Sequence, residues 1–204
     1  MKSKRSLASI FASVGLFAAL SFSGAVHAQE ATPDHGDMPG MSDMTISPEV
    51  GKLISDVRQG TAGFRDFDSI KDKGYGKLLD CFTNDNIGGM GQHYVNGDYA
   101  GDDVVDPMKP EALVYEPTTD GKMNLVAFEY LVFASVWDPN NTGREAPVLF
   151  DQSFHLMTNI PNTPPVWALH LWLWTSNPEG VFADFNPLVF CPSGQPITDM
   201  TPKT

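Results

Sequence analysis

Basic residues are scarce in this chain, and cysteine is nearly absent. Thirteen Lys and Arg stand against twenty-five Asp and Glu, a formal charge of −12. Such a balance argues against nucleic acid and against anionic membrane surfaces, since both want a basic face. It is compatible with cation binding, although solubility alone accounts for most acidic balances. The two cysteines, Cys81 and Cys191, lack the C-x-x-C spacing of a thiolate metal site. The chain also lacks the Gly-Lys-Ser/Thr ending of a phosphate loop and the Gly-x-Ser-x-Gly elbow of a hydrolase nucleophile. After the N-terminal segment, no apolar run is long enough to span a bilayer.

That N-terminal segment reads as a signal peptide over residues 1–28. Lys2, Lys4 and Arg5 form a basic start, an apolar run follows from Leu7 to Phe22, and Ala25-Val26-His27-Ala28 is a cleavage site with small residues at its two recognised positions. A retained anchor is the alternative. Cleavage removes three positive charges and no acids, leaving ten basic against twenty-five acidic residues. The mature chain is then periplasmic or secreted, without an integral membrane segment. Two cysteines in an exported protein most often pair. A Cys81–Cys191 bridge closes a long loop and contributes on the order of 4 kcal/mol in the chain-entropy model. Residues 29–46 form a leader with His35, Met38, Met41 and Met44 but no core-forming pattern. Thioether and imidazole donors suit copper; a solvated linker is the other reading of the same residues.

Residues 47–204 read as one α+β domain: helices first, then a mostly antiparallel sheet or partly closed β-barrel. Ser47-Pro48-Glu49 carries an N-cap, a first-position proline and a first-turn acid. Val50, Leu53, Ile54 and Val57 follow as one helical stripe. A second helical segment is predicted over about Thr61 to Lys73, with Gly74 as the stop. Strands are predicted after the glycine-rich turn at 85–91, at 112–116, from Met123 to Val136, and over Val166 to Trp174.

The last of these holds three tryptophans and a central His170 in nine residues. With a period of two, His170 shares a face with Ala168, Trp172 and Trp174. A strand apolar on both faces is buried on both, and a histidine there needs a partner. His93 and His155 lie in apolar strand-like segments too, and Glu129 sits in the middle of Val126–Val132. A carboxylate is almost never buried unless paired or coordinated. Three histidines and one glutamate on separate strands are what a metal site inside a small barrel needs. These donors suit a divalent transition metal: zinc, copper or iron. The set is similar in residue types to the cupin arrangement, but without the cupin His-x-His pair and nearby Glu, so no cupin roles are carried over.

Other readings stay open on sequence. A lone buried histidine is often bonded to a carbonyl or a tyrosine, and Glu129 has Arg144, Arg65 or Lys122 as alternative partners. Asp184 and Glu179 flank the 178–186 turn, without spatial grounds for a catalytic pair. Trp172 and Trp174 could line an aromatic pocket for a small-molecule ligand in a non-catalytic binding module. In a structural envelope domain, the histidines would scatter through the core without meeting.

Several segments are similar to a family of uncharacterised exported bacterial proteins. They are Phe64-Arg65-Asp66 with Gly74-Tyr75, Gly89-Met90-Gly91-Gln92-His93-Tyr94-Val95-Asn96, Pro110–Pro117, Glu129-Tyr130, Leu169-His170-Leu171-Trp172-Leu173-Trp174, Asn177–Pro187 and Cys191. The resemblance spans about residues 55 to 191 and implies one type of domain. It supplies no mechanism.

Overall fold

The computed structural model describes residues 46–192 except Asp85 and Pro161. The signal peptide, and the leader as far as residue 45, lie outside the described residues. Helix α1 (Pro48–Gly60) begins as its sequence signals: the Ser47 hydroxyl accepts from the Val50 N–H at 3.2 Å, and Glu49 occupies the first turn. Its stripe buries Val50 and Val57 in the core. The second helical segment is shorter than predicted and breaks into two 3-10 turns, Ala62–Arg65 and Phe67–Ile70. Asp66 stands between them and accepts from the Asp68 N–H at 3.2 Å, capping one turn where the other ends.

Eight strands follow: β1 (Tyr75–Asn84), β2 (Gly88–Asn96), β3 (Ala112–Pro117), β4 (Met123–Phe133), β5 (Val148–Leu149), β6 (Gln152–Ser153), β7 (His155–Met157) and β8 (Val166–Trp172). One-turn helices α2 (Gly97–Ala100) and α3 (Ala134–Trp137) interrupt them. Six strands form one antiparallel sheet in the order β1-β2-β3-β4-β8-β7, which curls into a half-barrel; β5 and β6 make a separate hairpin. Bulges drive curling, because an unpaired extra residue bends its strand. Val126 is such a residue: Val114 pairs with Ala127 and Tyr115 with Leu125, leaving it without a partner in β3. The hairpin closes through Phe150 and Asp151, both at positive φ (56° and 58°), which two-residue hairpin turns require.

The two faces of the sheet differ in chemistry. One carries Leu113, Tyr115, Phe128, Tyr130, Leu169 and Leu171, packed with α1 and the 3-10 turns into the main core. Its tyrosines reach polar partners with their hydroxyls: Tyr115 donates to the Phe64 carbonyl at 2.6 Å, and Tyr130 to that of Pro107 at 2.8 Å. The other, concave face carries Ala112, Val114, Ala127, Ala168, Trp172, His93, Glu129 and His170. Its apolar members form smaller clusters around the polar group.

The chain after β8 wraps back under β1 and β2. Cys81 and Cys191 form a disulfide, as the sequence led us to expect, with a Cα–Cα distance of 5.5 Å. Gly89 exchanges both backbone hydrogen bonds with Asn186, at 3.0 and 2.8 Å. This close approach depends on Gly88, whose φ is +128° and whose hypothetical Cβ would lie 2.5 Å from the Asn186 backbone. Among the described residues, no helix is long and apolar enough to cross a membrane.

One buried acid escaped the sequence reading. Glu111 is 1% exposed and accepts from the Leu131 N–H at 3.2 Å, and burial pushes its carboxyl up to about 8. Below the ordinary value of 4.5 the folded and unfolded chains both hold this proton. As pH rises, the unfolded chain loses it first, so stability should fall through the window up to about 8. The expected slope is about 1.4 kcal/mol per pH unit from this group. Denaturant titrations of Glu111→Gln between the two values should show that component of the slope removed; a wild-type-like slope would contradict the assignment.

Candidate metal centre

Convergence of the polar group follows from register. Glu129 on β4 stands directly opposite His170 on β8, so their side chains leave the same face as neighbours. His93 comes from β2, two strands away from β4. The concave-facing residues of the intervening strand are Ala112 and Val114, paired with Glu129 and His93 respectively. Two strand spacings amount to about 9.6 Å. An imidazole and a glutamate cover that gap over a small residue, and the curl shortens it further.

The donor atoms meet. His93 Nε2 lies 3.4 Å from His170 Nε2 and 3.5 Å from Glu129 Oε2, while His170 Nε2 lies 3.8 Å from Glu129 Oε1. One donor atom from each residue falls within a single 4.8 Å group, and all three residues are buried. Exposures are 1% for His93, 2% for His170 and 6% for Glu129. Aromatic rings fix both imidazoles. Phe82 stacks on His93 at 6.2 Å between centroids, and Trp172 stacks on His170 at 6.1 Å. The two imidazoles meet edge to face at 5.7 Å.

The two Nε2 atoms face each other, and both Nδ1 atoms are buried. Both buried Nδ1 atoms lack a hydrogen bond of normal geometry among the described residues. Asp184 Oδ1 lies 3.6 Å from His170 Nδ1 and 3.0 Å from His155 Nε2. The wrap therefore delivers a carboxylate to the back of one imidazole, the arrangement that sets a ring's tautomer and basicity at metal sites.

Electrostatics divide the histidines. Burial, reinforced by the His170 charge, lowers His93 to about 3, so at neutral pH its ring is uncharged with a lone pair available. Burial also lowers His170, but Glu129 and Asp184 together outweigh it and raise the ring. Desolvation raises Glu129, with His170 acting in the opposite direction. His155 is raised by its hydrogen bond to Asp184. Burial opposes ionisation of Asp184, yet the hydrogen bond with His155 and the nearby His170 ring hold its carboxyl well below the usual range.

Three of the four expected ligands are thus brought together, and the fourth is not. His155 stands beside them on β7 with its Nε2 committed to Asp184, outside the group of three. Its sequence context predicts only an apolar strand for His155; it sits on edge strand β7, one strand beyond β8, and opposite Ala168 instead of His170.

The aromatic-pocket expectation also divides. Trp172 is 4% exposed and donates from Nε1 to the Ala183 carbonyl at 2.6 Å. Trp174 lies beyond the end of β8 and packs edge-on against Phe128 in the main core, ring centroids 5.0 Å apart. The two tryptophans do not share a face, because strand alternation stops at Trp172.

A cavity of about 340 Å³ opens beside the polar group instead, with His93 and Glu129 in its lining and mostly aliphatic, Met and Phe side chains around them. Asp184, Phe82 and this cavity were missed as site features. The one usable signal was an acid set between Phe182 and Phe185, two residues that are themselves buried. No family model, curated protein or solved structure matches this chain, so its site is read from its own geometry.

Proposed function

We propose that this is an exported protein whose His93, His170 and Glu129 hold one divalent transition metal ion, with a coordination position left open. One observation carries the reading: three buried donor atoms from three strands face a common point. Two donors bound tetrahedrally at about 2.0–2.1 Å lie about 3.4 Å apart. The imidazole nitrogens stand 3.4 Å apart, and each lies 3.5–3.8 Å from one or the other Glu129 oxygen, close enough for an ion to be held by small side-chain adjustments. Without an ion, a buried carboxylate and two clustered imidazoles cost stability.

Two imidazoles and one carboxylate suit iron(II) or zinc, with copper a third possibility by donor type. Thiolate is not a donor here, because Cys81 and Cys191 are bonded to each other. An ion held by three protein ligands polarises whatever oxygen donor takes the open position. Asp184 and His155 stand behind His170 as an outer layer in this reading. Export is supported by the disulfide and by the N-terminal sequence pattern. Membership of the exported family suggested by the sequence segments belongs to the same proposal.

Metal analysis of protein made without a polyhistidine tag tests the site. Wild type should carry about one equivalent, and His170→Ala about a tenth of that or less. Equal, substoichiometric metal in both would overturn the reading.

A further inference from the structure

The cavity beside the three donors has its own chemistry. Its volume of about 340 Å³ lies within the range of small-molecule sites, which starts near 300 Å³, and corresponds to roughly eleven waters of liquid. Met90, Leu131, Met157 and Val166 form buried walls, with Leu79 and Phe133 half-buried beside them. At the mouth, Gly76, Leu78, Asn162 and Pro164 are exposed, so burial deepens from these residues toward His93 and Glu129. Lys77, also at the mouth, is ion-paired with Asp80 at 2.6 Å. His93 and Glu129 are the polar groups of the buried inner end, while Lys77, Asn162 and Thr163 lie toward the mouth.

Charge at that inner end selects the ligand's head. A divalent ion and one ionised glutamate would leave a single positive charge at the buried end of an apolar-walled cavity. Asp184 does not line the cavity: it lies behind His170, 3.6 Å from Nδ1, and nearer still to His155 Nε2 at 3.0 Å. We infer that the cavity binds an apolar small molecule ending in one anionic oxygen donor, a carboxylate or phenolate, which enters the open metal position while its body fills the aliphatic walls. This inference rests on the metal reading and extends it to a ligand class.

Calorimetric titration of metal-loaded protein with phenylacetate, 2-phenylethanol and acetate tests it. Phenylacetate should bind saturably, the alcohol about tenfold more weakly for want of charge, and acetate about tenfold more weakly for want of an apolar body. Chelating the metal should abolish the difference between acid and alcohol. Ile160→Trp, at a half-buried lining residue, and, independently, Leu79→Trp should fill the cavity, keep the metal, and weaken phenylacetate about tenfold or more. Full metal occupancy with no saturable phenylacetate binding, or with all three probes binding alike, would overturn this inference and leave the metal site standing. Absence of metal would overturn both.

Discussion

Replacing Glu129 with leucine is expected to abolish metal binding while leaving the metal-free protein as stable as wild type or more so. Glu129 is 6% exposed, and its carboxyl is raised by burial, a direct sign that its charge is unwelcome there. Leucine removes the desolvation cost and fits the surrounding apolar clusters, so a gain of up to about 2 kcal/mol is expected without metal. With metal at roughly a thousand times its Kd, wild type should gain about 4 kcal/mol and Glu129→Leu nothing. Thermal unfolding of both proteins, with and without added zinc or iron(II), measures these two differences. A variant less stable than wild type in the absence of metal would mean that the carboxylate serves the fold instead. That crossing of effects is the signature of a residue kept for binding at the expense of stability.

Loss of the disulfide should have the other large effect. Cys81 and Cys191 are 110 residues apart, and a bridge over such a loop contributes about 5 kcal/mol in the chain-entropy model. For a domain of this size that lowers Tm by roughly 10–20 °C. Calorimetry of the Cys81→Ser, Cys191→Ser double variant against wild type checks the figure; an unchanged Tm would contradict it. The bridge also pins the wrap that carries Asp184 to the back of His170. Metal affinity should therefore fall by about tenfold or more along with stability, as it does when outer carboxylates are lost at other sites.

Much of the site was legible because burial on both faces of a strand can be read from composition. His170 and Glu129 each interrupt an apolar run, and the two prove to be cross-strand partners. The bridge was legible from cysteine count and the export signal. Strand order was not, and it decides which histidines meet. His93 reaches the group because the curled sheet sets β2 across small residues of β3, a relation between segments that period-two patterns do not contain. His155 has the same local signature as His93 and misses the group because β7 is the edge strand and its register sets His155 opposite Ala168. Asp184 comes from irregular chain with no periodicity, placed by Gly88, Gly89 and the disulfide. Trp174 shows the opposite failure: the alternation rule was carried two residues past the point where the strand ends.

X-ray absorption at the K edge of the bound metal tests the central claim most directly. The expected spectrum shows nitrogen and oxygen neighbours at about 2.0–2.1 Å, the multiple-scattering pattern of two imidazoles, and no sulfur. In His93→Ala the imidazole pattern should fall to one ring or the metal should be lost. A sulfur shell near 2.3 Å, or a spectrum without imidazole, would place any bound ion elsewhere and contradict the centre built from His93, Glu129 and His170.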